Sequence, residues 1–263
     1  MQGQQGLILI PARYASTRFP GKPLALLAGK SIIERVYDNC QSTDLHACVV
    51  TDDERIENHV KSFGGNVCRV DDDVPSGTER IQLAYERYFS SQNFDFIINV
   101  QGDEPLLKSE TIKKLVCFHH ENSNFDVATL IRKIPELKGG FFDSNKVKAI
   151  FSESTHRCHY FSRSAIPFVR EDESKDKSKD NEKIRLDAHW YLHIGVYSYR
   201  REALQKFCLS PLGYYENLEK LEQLRGLDIG LSYGAITIND FLAGVDTPED
   251  LNKLEGVFSG KIE

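Results

Sequence analysis

Three cationic side chains near the start of the chain lie close enough together to bind an anion. Arg13, Arg18 and Lys22 fall within ten residues, on a segment that also carries prolines and a glycine. Arg and Lys bind phosphate oxygens through charge-assisted hydrogen bonds, and several fixed cations suit a polyanion such as a triphosphate. The alternative is that all three are ordinary solvated loop cations.

Two aspartates far apart in the chain are candidates for a metal site. Asp103 and Asp246 each follow an apolar segment and a glycine within two residues. Mg²⁺ prefers oxygen ligands and is commonly held by one or two carboxylates together with phosphate oxygens and water. The alternative for Asp103 is a turn residue. The alternative for Asp246 is a helix cap, because Asp-Thr-Pro-Glu is a common start of a helix.

The order of the predicted elements explains how these distant residues would meet. Short apolar runs at 7–10, 46–51, 66–70 and 94–100 are predicted strands, with helices between them. This alternation predicts an α/β fold with a mostly parallel central sheet and helices on both faces. Pro11 has no N–H, so it is expected to end the first strand. Ligands of such sheets bind at the carboxyl ends of the strands, where the cationic loop begins.

Strand-like segments in the second half, at 146–151, 158–161 and 193–199, lack long helices between them. They predict a smaller antiparallel part that is added to the sheet. Thr78 is the predicted cap of a helix that ends near residue 89, and a later helix is predicted over 217–224.

A highly charged stretch interrupts this second half. Residues 170–183 include eleven charged residues among fourteen, of both signs, and carry too little apolar material to fold alone. We interpret them as a surface insertion in a single nucleotidyltransferase domain that spans 1–263.

Composition and missing motifs exclude several other classes of protein. The net charge of −6 argues against non-specific binding to nucleic acid or to a membrane surface. Six widely spaced cysteines, no run of transmembrane length and no basic signal sequence lead us to expect a cytoplasmic protein with reduced thiols. Gly29-Lys30-Ser31 resembles the end of a P-loop, but Leu24 occupies the position where that motif needs its first glycine, which excludes a P-loop. No G-x-G-x-x-G follows the first strand, which disfavours a dinucleotide-binding dehydrogenase.

Taken together, these segments resemble the 3-deoxy-manno-octulosonate (KDO) cytidylyltransferase family. The matching stretches run in order from residue 10 to residue 251, and the most specific are IPARYASTRFPGKPL, SGTER, NVQGDEP, HIGVY and GVDTPEDL. The charged stretch at 170–183 differs from the sequence that is usual in this family. Phe168 stands where relatives often carry Trp.

The resemblance implies a nucleotidyltransferase-type fold and the reaction of CTP with KDO to give CMP-KDO and pyrophosphate, for lipopolysaccharide biosynthesis. It also implies Mg²⁺ as cofactor, a homodimer with an antiparallel part for dimerisation and sugar binding, and catalytic roles for Arg13, Lys22, Asp103 and Asp246. The implied metal ligands are Asp103 and Asp246. The implied nucleotide contacts are Ala12, Arg13, Arg18, Lys22, Ser76, Gly77 and Thr78. The implied sugar contacts are Arg80, Gln101, Arg163, His193, Tyr197, Glu222 and Gln223.

Several alternatives stay open at the level of sequence. From the residues alone, His193 in the middle of an apolar strand is more typical of a core histidine than of a site residue. The same chemistry would also suit sialic acid, a sugar 1-phosphate or methylerythritol phosphate as acceptor. A protein of another class, a non-catalytic module that senses CTP, would need the same cations.

Overall fold

The computed structural model describes residues 6–135, 137, 139–168, 189–240 and 242–258 of the chain. The surface insertion predicted at 170–183 therefore lies outside the described residues. Within the described ranges, no helix has both the length and the apolar character needed to cross a membrane.

The strands of the described residues are short at first and longer in the second half. They are β1 (Gly6–Ala12), β2 (Leu26–Leu27), β3 (Lys30–Ser31), β4 (His46–Thr51), β5 (Val67–Arg69), β6 (Phe96–Asn99), β7 (Val127–Ile134), β8 (Lys148–Ser152), β9 (Arg157–Ser162), β10 (Trp190–Arg200) and β11 (Tyr233–Thr237).

In the described residues, helices lie between several of these strands, and one follows β11. They are α1 (Ile32–Gln41), α2 (Glu54–Ser62), α3 (Gly77–Ala84), α4 (Ser109–Glu121), α5 (Arg201–Leu209), α6 (Tyr214–Glu219), α7 (Glu222–Asp228) and α8 (Pro248–Phe258). Short 3₁₀ turns occur at Lys22–Leu24 and Gly139–Phe141, and α3 continues as a π-helical turn over Tyr85–Phe89.

The central sheet has nine strands in the order β5-β4-β1-β6-β10-β7-β11-β9-β8. The first four strands are mutually parallel, and β7 is parallel to β11. The long strand β10 is antiparallel to both of its neighbours, β6 and β7. The prediction of a mostly parallel sheet is therefore correct for one half, whereas the sheet as a whole is mixed. The antiparallel strands belong to the same sheet, as predicted.

Strand β1 shows how the sheet separates two hydrophobic layers. Leu7 and Leu9 pack in the cluster on one face, whereas Ile8 and Ile10 pack in the cluster on the other. All four side chains are fully buried, and burying one of this size contributes about 1.5–3 kcal/mol. An apolar run without polar alternation is typical of a parallel strand that is covered on both faces.

The first strand continues through Pro11 to Ala12, so the prediction that it ends at Pro11 is wrong. The carbonyl of Leu9 points towards β6, where it accepts a hydrogen bond from Val100 N at 3.2 Å. Backbone groups two residues apart point to the same side, so the missing N–H of Pro11 also lies on this side. Strand β6 has already ended there, at Asn99, and no ladder bond is lost.

Two predicted helix features are also wrong. Ser76, not Thr78, caps α3: its Oγ accepts hydrogen bonds from Thr78 N at 3.1 Å and Glu79 N at 3.4 Å. The single helix predicted over 217–224 is two helices, because Lys220 adopts a left-handed conformation with φ of 52° and breaks it. By contrast, β4 has the predicted bounds.

Candidate active site

The cationic loop leaves β1 and returns on itself before the first helix. Gly21 has φ of 72°, a conformation that favours glycine, and its N–H donates to the Tyr14 carbonyl at 2.9 Å. The 3₁₀ turn then starts at Lys22 with Pro23 as its second residue. The Arg55 guanidinium covers the Tyr14 ring, 3.2 Å from its centroid. These contacts fix the backbone from which the cations project.

A cavity of about 340 Å³ lies under this loop. Its walls are formed by the loop cations and, opposite them, by Gln101, Gly102 and Asp103 at the end of β6. A Cβ on Gly102 would stand 2.9 Å from the Pro11 carbonyl oxygen, so only glycine lets this turn lie against the end of β1. The glycine before Asp103 thus places that carboxylate at the edge of the cavity.

The two aspartates converge on a single point. Lys22 Nζ lies 2.6 Å from Asp103 Oδ2 and 3.4 Å from Asp246 Oδ1, and Arg18 Nη2 lies 3.2 Å from Asp246 Oδ2. The backbone also joins the two segments, because Val245 N donates to the Asp103 carbonyl at 3.0 Å. Residues separated by more than one hundred positions therefore form one ionic cluster.

Asp246 does not cap the last helix. Thr247 and Asp250 do so between them: Asp250 N donates to Thr247 Oγ1 at 3.2 Å, and Asp250 Oδ2 accepts from Thr247 N at 3.0 Å. This is a reciprocal capping arrangement. It leaves the Asp246 carboxylate directed at Arg18 and Lys22.

Glu104, which the sequence did not single out, adds a third carboxyl group to the cluster. Its Oε2 is buried and has no hydrogen-bond partner within the described residues. Burial, followed by the charges of Asp103 and Asp246, raises the pKa of Glu104 to about 8. Glu104 is therefore mostly protonated at neutral pH, so it adds a buried carboxyl group but little negative charge to the cluster.

This donor set fits Mg²⁺ bound jointly with a nucleotide. Asp103 and Asp246 present one carboxylate oxygen each to the same point, and such hard oxygens suit Mg²⁺. No group of three or more His, Cys, Asp or Glu side chains within the described ranges is arranged to hold a metal ion. Two carboxylates alone leave most of an octahedral shell to phosphate oxygens and water.

The start of α3 lies beside the cationic loop. A Cβ on Gly77 would stand 3.2 Å from Pro11 Cγ, and Thr78 Oγ1 accepts a hydrogen bond from Asn99 Nδ2 at 3.4 Å. Ser76, the cap of this helix, also donates through its hydroxyl to Glu79. The predicted nucleotide residues Ser76–Thr78 thus adjoin the ends of β1 and β6, although their contacts with a nucleotide stay predictions.

Arg80 lies behind the loop. It is buried, its Nη2 is 2.8 Å from Asp52 Oδ2, and its Nη1 donates to the Val70 carbonyl. Arg13 is anchored nearby, because its Nη2 donates to the Val74 carbonyl at 3.1 Å. Arg80 Nε has no partner within the described residues.

A second group of predicted sugar residues forms a buried polar cluster along β10 and α7. Tyr197 Oη donates to Gln223 Oε1 at 3.3 Å, and the His193 and Tyr197 rings are 5.5 Å apart. Glu222 Oε2 is buried without a partner in the described residues, and burial raises the pKa of Glu222.

The tautomer of His193 follows from its neighbours. His193 Nε2 lies 3.1 Å from Thr129 Oγ1, which is also 2.8 Å from the Val196 carbonyl. The hydroxyl also lies 3.2 Å from the Ile194 carbonyl, and its single proton serves one of these two carbonyls, so we assign the proton to His193 Nε2, which donates to Thr129. Burial lowers the pKa of His193 to about 3, and its ring stays neutral.

Arg163 is held differently from the other predicted sugar residues. Its Nε donates to the Glu219 carbonyl at 2.6 Å and its Nη1 to the Ser144 carbonyl at 3.0 Å. Among the predicted sugar residues, Gln101 lines the cavity, whereas the rest do not. We therefore distinguish two regions: the cationic end, which comprises Arg13, Arg18, Lys22, Asp103 and Asp246, and the buried end, which comprises Thr129, His193, Tyr197, Glu222 and Gln223.

The buried end is supported by an ionic network that the sequence did not indicate. Arg225 Nη1 lies 2.7 Å from Glu79 Oε1, and its Nη2 lies 2.7 Å from Glu216 Oε1. Arg225 and Glu216 are both almost fully buried. This network joins α3, α6 and α7, and so connects the start of α3 to the helix that carries Glu222.

The mixed sheet, with helices packed on both faces and a cationic loop opposite two carboxylates at the strand ends, defines an α/β nucleotidyltransferase fold. The model of the cytidylyltransferase family matches residues 7–236, and the chain belongs to this family. It is an enzyme of the nucleotidyltransferase class.

Relatives of this chain match over nearly the whole length. A 3-deoxy-manno-octulosonate cytidylyltransferase of Thermodesulfovibrio yellowstonii is 42% identical over 257 residues, covering 95% of this chain and 96% of the relative. An 8-amino-3,8-dideoxy-manno-octulosonate cytidylyltransferase of Shewanella pealeana is 42% identical over 255 residues, covering 94% and 96%. The predicted resemblance to KDO cytidylyltransferases is confirmed.

A solved structure agrees with this assignment. CMP:2-keto-3-deoxy-manno-octonic acid synthetase, complexed with CTP, superposes with a TM-score of 0.84 and 32% identity, covering 98% of this chain and 100% of that chain. The comparisons thus support both the fold and the family.

Proposed function

We propose that this enzyme transfers CMP from CTP to 3-deoxy-D-manno-octulosonate, releasing pyrophosphate, as a cytoplasmic step of lipopolysaccharide biosynthesis. The observation that carries the proposal is the convergence of Lys22 and Arg18 with Asp103 and Asp246 at one cavity, in a chain of this family. We further propose that residues 1–263 act as a single domain.

The cationic end would bind and neutralise the triphosphate. Arg13, Arg18 and Lys22 would contact the phosphates, and Asp103 and Asp246 would hold Mg²⁺. When bound, Mg²⁺ would stabilise charge on the α-phosphate and lower the pKa of the attacking hydroxyl. The anomeric hydroxyl oxygen forms the new bond to the α-phosphorus, the bond to the β-phosphate oxygen breaks in line, and the proton leaves to solvent. Arg13 and Lys22 would stabilise the departing pyrophosphate.

The start of α3 and the buried end would orient the two substrates. Ala12 and Ser76–Thr78 border the loop at the end of β1, which supports a role near the cytosine and ribose. Arg80, Gln101, Arg163, His193, Tyr197, Glu222 and Gln223 are the proposed sugar residues. Neutral hydrogen-bonding groups such as the His193–Thr129 and Tyr197–Gln223 pairs suit sugar hydroxyls.

The amino sugar of the Shewanella relatives is a second candidate acceptor. The Shewanella pealeana relative is 42% identical to this chain, as is the KDO-named relative of Thermodesulfovibrio yellowstonii, so overall similarity does not choose between a hydroxyl and an amine at carbon 8. We propose KDO first because the synthetase solved in complex with CTP is also named for a KDO-type acid.

Pyrophosphate release tests these assignments directly. The purified full chain is incubated with CTP and Mg²⁺ and with KDO, 8-amino-3,8-dideoxy-manno-octulosonate, sialic acid or no sugar. Release with KDO well above the other acceptors is expected. Faster release with the amino sugar would assign the second candidate. CTP binding without release in any mixture would indicate a CTP-sensing module.

We also propose a homodimer formed through an exposed apolar face. Leu209, Leu212, Tyr214, Tyr215 and Leu218 follow one another on the segment from the end of α5 through α6, and each is more than half exposed. Apolar patches of this kind on a soluble chain mark protein interfaces.

Light scattering after size-exclusion chromatography tests the dimer. The wild type is expected at twice the mass of the chain, and the double substitution Tyr214→Lys and Leu218→Lys is expected at the monomer mass. Replacing exposed Tyr88 with Lys, on the π-helical turn outside the segment 209–218, is the matched control. A monomeric wild type would contradict the proposal.

A further inference from the structure

Lys22 lies in the space between the two carboxylates that would bind the metal. Its Nζ is 2.6 Å from Asp103 Oδ2 and 3.4 Å from Asp246 Oδ1, and its side chain is only 14% exposed. Arg18 contacts the other oxygen of Asp246 at 3.2 Å. The carboxylate pair is therefore already neutralised by cations of the protein itself.

A divalent cation and this ammonium group exclude each other. Mg²⁺ bonds carboxylate oxygens at about 2.0–2.1 Å, so an ion shared by Asp103 and Asp246 would overlap with Lys22 Nζ. The two cations would also repel each other strongly at this separation. Lys22 must move before both carboxylates can ligate the same metal.

The local structure permits this movement without rearranging the backbone. The main chain at Lys22 is fixed by the left-handed Gly21 and by Pro23 in the 3₁₀ turn. The side chain has four flexible methylene groups and ends in a point charge that forms no fixed bidentate geometry. Lys22 lines the same cavity as Arg13, so phosphates bound there would offer it a second set of anions.

We propose that Lys22 acts as an exchangeable occupant of the metal position. It holds Asp103 and Asp246 together in the free enzyme and moves to the triphosphate when the nucleotide arrives, so that the carboxylate pair accepts the metal together with CTP rather than before it. The inference rests on the proposed function, in which metal and triphosphate share this cavity.

The test is a titration of the full chain with Mn²⁺, without nucleotide or sugar, followed by the electron paramagnetic resonance signal of the free ion. Lys22→Met is expected to bind Mn²⁺ about tenfold more tightly than the wild type, because a competing ammonium has been removed. Combining it with Asp103→Asn is expected to abolish this gain.

Lys30 provides a matched control. Its Nζ also contacts two carboxylates, Asp38 at 2.7 Å and Glu34 at 3.3 Å, but these lie on α1 outside the cavity. Lys30→Met removes the same charge and should leave unchanged the Mn²⁺ binding that depends on Asp103. Lys22→Gln, which keeps a polar side chain, replaces Lys22→Met if the latter does not fold.

Equal Mn²⁺ affinity of the wild type and the Lys22 variants would overturn the proposal, as would a gain that persists in the Asp103→Asn background. Neither result would contradict the proposed transferase activity, because the titration contains no substrate. Conversely, absence of pyrophosphate release in the wild type would contradict the proposed function without changing the Mn²⁺ result.

Discussion

At the cationic end of the site, Arg18 and Lys22 reach from a surface loop to two partly exposed carboxylates, whereas at the buried end His193, Tyr197 and Gln223 are enclosed by the sheet and its helices. The Arg18–Asp246 pair is exposed, and exposed ion pairs contribute about 0–1 kcal/mol each. Buried polar groups cost much more to disturb, because a lost partner leaves an unsatisfied group without water. The cationic end is therefore suited to exchanging ligands, whereas the buried end is suited to keeping a fixed geometry.

The largest expected effect comes from breaking the network behind the buried end. Arg225→Met leaves Glu79 and Glu216 without their cation, and removing one partner of a buried ion pair typically costs about 3–5 kcal/mol. Urea unfolding should show this loss. The surface pair Arg201–Glu202 supplies the control: Arg201→Met should cost less than about 0.5 kcal/mol. Similar losses in both variants would contradict the comparison.

A change at the cationic end should affect catalysis rather than stability. Asp103→Asn removes a proposed metal ligand, and we expect kcat/KM to fall about 10²–10³-fold, in the range seen when one group stabilising transition-state charge is lost. Pyrophosphate release measures the rate, and urea unfolding should show little change. Asp240→Asn removes a carboxylate that pairs with Lys108 instead, and near wild-type turnover is expected.

The pH dependence of stability offers a sharper test of the buried end. The native pKa of His193 is lowered to about 3 by burial, whereas an unfolded histidine titrates near 6.5. The unfolded state therefore binds more protons below about pH 6.5, and His193 makes the protein less stable as pH falls from that value towards 3.

Replacing His193 with Gln removes this contribution. The difference in unfolding free energy between wild type and variant should therefore fall by about 1 kcal/mol from pH 7 to pH 5.5. His120, an exposed histidine of α4, supplies the control variant His120→Gln. A pH-independent difference for His193 would mean that it is not held neutral.

The smallest effect is expected for the most exposed cation. Arg18 has a side chain that is 63% exposed, so Arg18→Ala should raise KM for CTP by about three- to tenfold and change kcat little. Raising the salt concentration should reduce the difference between wild type and variant, because screening weakens exposed charges. A large fall in kcat would show that Arg18 acts in the transition state.

Local patterns in the sequence were sufficient for the first half of the fold. β-Branched apolar runs predicted β1, β4 and β6, and the parallel pairing of these strands follows from the helices between them. The position of β10 between β6 and β7 was not predictable, because antiparallel insertion depends on contacts between residues about one hundred positions apart. The break at Lys220 depends on a backbone conformation that lysine rarely adopts.

The charged residues of the site that lie in recognisable loops could be predicted from the sequence. Residues whose role depends on burial in the folded chain were harder to predict. Asp246 had a plausible alternative as a helix cap, and the contacts between Thr247 and Asp250 were needed to exclude it. Glu104 was overlooked although it follows Asp103 directly, since nothing in the sequence shows that its carboxyl is buried. The roles of the sugar residues, Arg163 above all, stay predictions.

Phosphorus NMR of the full chain with CTP, KDO and Mg²⁺ tests the central claim most directly, because it follows every phosphorus atom of the reaction. The account predicts that the three CTP resonances disappear while pyrophosphate and one sugar phosphodiester appear in equal amounts. Unchanged CTP, or conversion to free CMP and pyrophosphate without a phosphodiester, would contradict it.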